Sequence, residues 1–93
     1  MKKFVIERDI PGVGEMNDEE LSGAAKTSNK ALDQLAPKVQ WTHSYVTGSK
    51  TFCIYLAESE EAIRKHAEIS GFPANTITEV TRVIDPTTEK RPY

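Results

Sequence analysis

The sequence predicts an α+β domain in which a four-stranded antiparallel sheet carries two helices on one face, in the order βαββαβ. Three observations carry this reading. Four short segments are rich in β-branched and aromatic residues, two segments repeat apolar residues at spacings of three and four, and Gly, Pro, Ser or Asn punctuates the joins. The length of 93 residues allows one domain with one modest core, so the domain is expected to span 1–93.

Lys3 to Ile10 reads as the first strand, led by Phe4, Val5 and Ile6, and Pro11-Gly12-Val13-Gly14 ends it in a turn. Asn17 is a good N-cap, and Glu20 three residues on completes a capping box. Leu21, Ala24, Ala25, Ser28, Leu32 and Leu35 then form one packed helix face, mostly of small residues, and Pro37 stops the helix. Val39 to Thr47 is a second strand and Thr51 to Ala57 a third, joined at Thr47-Gly48-Ser49 with Gly48 suited to positive φ. Ser59 caps the second helix, Glu60 and Glu61 suit its N-terminal end, and Gly71 closes it ahead of Pro73. Thr76 to Ile84 is the last strand, and the tail 86–93 is expected to fray. This order is the split-βαβ pattern of ferredoxin-like domains.

Right-handed crossovers place both helices on one face and leave the other bare. A bare face carrying apolar and aromatic side chains needs a cover, and the cover expected here is a second copy, giving a homodimer closed as a dimeric α+β barrel. In strand three Phe52, Ile54 and Leu56 are uniformly apolar and are expected to face the helices, which turns Cys53 and Tyr55 to the bare face. A three-residue loop with a left-handed Gly48 would bring Trp41, His43 and Tyr45 to that same face, whereas a two-residue loop would reverse them; the first is preferred because it uses the glycine. Strand one adds Glu7. The bare face is thus expected to gather His43, Cys53 and Glu7, with Trp41, Tyr45 and Tyr55 forming a pocket around them.

Imidazole and thiolate suit late first-row divalent metals, so His43 and Cys53 are the leading candidate ligands, followed by His66 and Glu7, with Tyr45 orienting His43. No CxxC, HxxxH or HExxH spacing supports them. Each has a plainer reading. His43 would be a strand histidine bonded to a neighbouring hydroxyl. Cys53 would be a small buried hydrophobe, and Tyr45 and Tyr55 packing residues. His66 falls within the apolar arc Ala62, Ile63, Ala67, Ile69 of helix two, where a core histidine held by a carbonyl or hydroxyl is the plainer reading. Nothing near Cys53 marks an activated nucleophile. Glu7-Arg8-Asp9 reads as solvated charge, and Gly12-Val13-Gly14 as a turn and not a phosphate loop.

Lys and Arg number 12 against 14 Asp and Glu, a net charge of −2, which excludes a general nucleic-acid binder. No long apolar run suggests a membrane span, and Phe4-Val5-Ile6 passes at once into Glu7-Arg8-Asp9, so no signal peptide is expected. The single cysteine fits a reducing cytoplasm.

Four runs, Phe4 through Gly12, Trp41 through Gly48, His66 through Asn75, and Val83 through Thr88, resemble a family of short bacterial proteins catalogued as a domain of unknown function. The resemblance covers nearly the whole chain. It implies a ferredoxin-like fold, a dimer and nickel binding, with the family's motif positions falling on His43, Cys53 and His66. The expected function is therefore a small cytoplasmic protein that sequesters or buffers nickel or another divalent transition metal, more a binder than an enzyme. The alternatives are a cofactor-independent barrel oxygenase acting on an aromatic substrate and a non-catalytic small-ligand-binding module.

Overall fold

Both helices begin where the sequence caps them. In a computed structural model, which describes residues 1–90, the Asn17 side chain accepts from the Glu20 backbone N–H at 2.8 Å, and the Glu20 carboxylate accepts from the Asn17 N–H at 3.2 Å. This capping box opens α1 (Asp18–Leu35), and Ser59 opens α2 (Glu60–Ser70) by accepting from the Ala62 N–H. Gly71 ends α2 in the left-handed region at φ 81°, where its N–H bonds the Ala67 carbonyl.

The strands are β1 (Lys2–Asp9), β2 (Val39–Val46), β3 (Lys50–Ala57) and β4 (Thr76–Val80). They form one antiparallel sheet in the order β2-β3-β1-β4, which with the two helices on one face is the expected ferredoxin-like α+β architecture. Val13–Glu15 makes a single 3-10 turn after β1. Gly14 donates to the Gly48 carbonyl there, and a Cβ at Gly14 would stand 2.6 Å from the Thr47 oxygen and 2.7 Å from the Gly48 Cα. The first turn and the β2–β3 hairpin tip are therefore held in contact by a missing side chain.

Two expectations about the strands are corrected. The last strand ends at Val80 and not at Ile84, because Lys3 pairs with Val80 and β1 offers almost nothing beyond it to pair with. In the tail, Pro86–Lys90 makes a 3-10 turn in which Asp85 Oδ1 accepts from the Thr87 N–H, and the rest of the expected frayed segment, 91–93, lies outside the described residues. The hairpin takes the two-residue register. Thr47 and Lys50 close it, with the Thr47 hydroxyl, in place of a backbone carbonyl, accepting from the Lys50 N–H, and Gly48 has no positive φ.

The facing of β3 is also the reverse of the expectation. Thr51, Cys53, Tyr55 and Ala57 are buried beneath the helices, while Phe52, Ile54 and Leu56 are half-buried on the open face. Both sides of this central strand are apolar, so alternation alone did not decide between them. The pairing with β1 does: Phe4 sits opposite Tyr55 and Ile6 opposite Cys53. Phe4, Ile6, Val39, Cys53, Tyr55, Ala57 and Ile63 make the core, with Leu32, Leu35, Trp41 and Ile77 packed against it. Each fully buried aliphatic side chain among them stabilises the fold by about 1.5–3 kcal/mol.

Gly14→Ala is expected to force the hairpin tip off the first turn and to destabilise the protein by about 1–3 kcal/mol. Urea unfolding checks this; an unchanged midpoint would show that the two turns are not held by that approach.

Candidate functional site

The pairing of β2 with β3 breaks once. Trp41 stands opposite Tyr55, but His43 stands opposite Ile54, so Thr42 is an extra residue in a bulge. Before the bulge Val39 and Trp41 face the helices; after it Ser44 does, opposite Cys53, while His43 and Tyr45 face outward. His43 and Cys53 are thus on opposite sides of the sheet.

The open face carries His43, Tyr45 and Glu7 together with Val5, Phe52, Ile54 and Leu56. His43 Nε2 and the Tyr45 hydroxyl are 3.1 Å apart, with the two rings edge to face. That is the plainer reading of His43, a strand histidine bonded to a neighbouring hydroxyl. Glu7 is engaged by Lys50, whose Nζ lies 2.6 Å from its carboxylate and 3.5 Å from that of Asp9. These contacts raise the pKa of Lys50, chiefly through its hydrogen bond to Glu7.

On the helix face, Cys53 is buried and its thiol lies 3.4 Å from the Thr51 hydroxyl, the setting of a core residue. His66 is 1% exposed and its Nε2 meets the Ser28 hydroxyl at 3.1 Å, again the plainer reading. Burial, with the charge of Arg8 added, lowers its pKa, and its Nδ1 is buried without a partner. Tyr55 stacks on Trp41 and touches His66, and burial pushes its phenol up. The pocket expected around the ligands on the open face is therefore divided. Trp41 and Tyr55 belong to the core side, Tyr45 to the other. The four candidate ligands Glu7, His43, Cys53 and His66 do not converge, and no group of three or more His, Cys, Asp or Glu able to hold a metal occurs among the described residues.

One residue on the helix face was misread. Arg8, taken as solvated charge, is 2% exposed. Its Nη1 donates to the carbonyls of Pro73 at 2.9 Å and Phe72 at 3.3 Å, just past the end of α2, and the guanidinium carbon lies 5.9 Å from the centre of the Tyr55 ring. Its Nη2 is buried with no partner, a charged donor left unmet at a cost of about 1–3 kcal/mol or more. The signal was available: Phe4, Ile6 and Arg8 share one face of β1 by simple alternation. Beside Arg8, between α1 and the sheet, lies a cavity of about 270 Å³. The small residues Ala24, Ala25 and Ser28 of α1 leave room for it.

Residues 4–80 match the model of a family described as nickel responsive protein SCO4226-like. The crystal structure of SCO4226 from Streptomyces coelicolor A3(2) superposes with a TM-score of 0.74 at 18% identity, over 88% of this chain and 99% of that one, a likeness of fold. No curated protein matches the chain.

The lowered pKa of His66 makes stability depend on pH with a defined sign. The unfolded chain takes up the proton first as pH falls below its ordinary value of 6.5, while the fold keeps the ring neutral. Stability is therefore full above that value and declines from there down to the lowered folded pKa. Urea midpoints followed from neutral to mildly acidic pH should fall less in His66→Asn than in the unaltered protein; parallel curves would remove His66 as the cause.

Proposed function

The chain belongs to the nickel responsive SCO4226-like family, and on that premise we propose that it is a small divalent-metal binding protein, nickel first, that sequesters or buffers the ion in the cytoplasm as a homodimer. Family membership is the observation that carries the reading. His43 is the donor the geometry favours: an exposed imidazole on the open face, with one ring nitrogen on the Tyr45 hydroxyl and no other hydrogen-bond partner among the described residues. Cys53 and His66 are committed to the core, and Glu7 would first have to leave Lys50.

One imidazole binds nickel weakly, and the described residues of one chain hold no group of three donors, so the remaining ligands come from a second copy. The open face supports this. Val5, Phe52, Ile54 and Leu56 lie half-buried along it and Tyr45 is 60% exposed. Past the end of β4, Val83 and Ile84 are also exposed, at 61% and 75%. Apolar side chains along an open sheet face call for a cover. Protons compete with the metal for the imidazole, so affinity falls as pH drops through the histidine range.

Calorimetric titration with nickel tests the ligand, and sedimentation tests the dimer. His43→Ala is expected to weaken binding by about tenfold or more, consistent with loss of one ligand, and Cys53→Ala to leave it unchanged. Ile54→Lys is expected to yield a folded monomer that has also lost tight nickel binding. Binding that survives His43→Ala and fails in Cys53→Ala would overturn the assignment.

A further inference from the structure

The cavity between α1 and the sheet lies on the opposite side from His43 and plays no part in the nickel reading. Its walls are mainly apolar, from Ile10, Val13, Met16, Leu21, Val46 and Phe72. Arg8 is the one charged residue among the described residues that line it. No acidic side chain forms an ion pair with that guanidinium among the described residues. Two backbone carbonyls satisfy Nη1, and Nη2 is buried and unpaired. This guanidinium meets carbonyls and the Tyr55 ring but no carboxylate among the described residues, and its planar fork matches one. Ser28 and Tyr55 also line the cavity.

We propose that this cavity binds a small apolar monocarboxylate, with Arg8 receiving the carboxylate and the α1 side of the cavity receiving the hydrocarbon. A single positive charge in apolar walls selects against dianions, whose second charge would remain uncompensated. On the scale of a 150 Å³ cavity that accepts benzene, about 270 Å³ holds a ligand of about eleven non-hydrogen atoms, a medium-chain or one-ring acid. Room for it is made by Ala24, Ala25 and Ser28 on α1; larger residues there would fill the space.

Trp41 is the sole tryptophan and lines the cavity, so its fluorescence reports occupancy directly. The full chain is titrated with octanoate, benzoate, octanol and inorganic phosphate, with a chelator present so that the outcome is independent of the nickel reading. At least one of the two acids is expected to bind with saturation, about tenfold or more tighter than octanol, and phosphate not at all. Arg8→Met should lose that advantage of acid over alcohol. Should Arg8→Met fail to fold, Ala25→Leu, which fills the cavity from α1, should abolish binding of acid and alcohol alike. Equal binding of octanol and octanoate, competition by phosphate, unchanged acid binding in Ala25→Leu, or no response to either acid would each overturn the proposal.

Discussion

One extra residue in β2 organises both faces of this sheet. The hairpin closes on Thr47 and Lys50, which sends His43 outward opposite Ile54. Without a correction, the same register would carry Trp41 outward as well. The bulge at Thr42 turns the strand over, so that Trp41 stacks on Tyr55 under the helices and its indole N–H donates to Ser44 at 2.9 Å. A large aromatic is thereby kept in the core while an imidazole two residues along the strand is released to the open face. A bulge also increases local twist and disrupts the ladder at an edge strand, where β2 lies.

Behind the sheet, an apolar core encloses a small polar group. Arg8, Tyr55, His66 and Ser28 meet between β1, β3 and the two helices. Their chemistry is consistent with one another: the guanidinium disfavours a proton on His66, and the Ser28 hydroxyl meets its Nε2. Burial acts the same way on both rings, holding the imidazole and the phenol neutral. Arg8 then carries the charge of the group by itself, balanced by the carbonyls beyond α2 and the face of Tyr55. Two polar atoms of this group, on Arg8 and His66, remain without partners. Buried orphans of this kind are uncommon in folded proteins.

In front of the sheet, the residues are of a different kind. Half-buried aliphatic and aromatic side chains occupy the middle, with the Glu7–Lys50 pair and the His43–Tyr45 pair near them. The ion pair lies partly in solvent and contributes little to stability. The two faces thus carry separable chemistries, an outward imidazole and an inward guanidinium, and the sheet between them keeps one from reaching the other.

Much of the fold was legible in the chain because its signals are local. Asn17 with Glu20, and Ser59 with Gly71, fix the helix ends within a few residues of themselves, and the small-residue stripe of α1 and the arc of α2 name the faces that pack. The plainer readings of His43, Cys53 and His66 also follow from such local rules, as does the position of Arg8 once Phe4 and Ile6 are seen to share its parity. The facing of β3 and the convergence of the candidate ligands depend on contacts far apart in sequence. Both sides of β3 are apolar, so its orientation is settled by which residues of β1 it meets. The side chain that closes the hairpin, Thr47, displaces the role expected of Gly48, and the bulge then inverts half of β2. A period of two records only alternation, and a shift of one residue exchanges the faces without changing the pattern, so in a strand apolar on both sides, as β3 is, tertiary pairing decides which side a residue occupies.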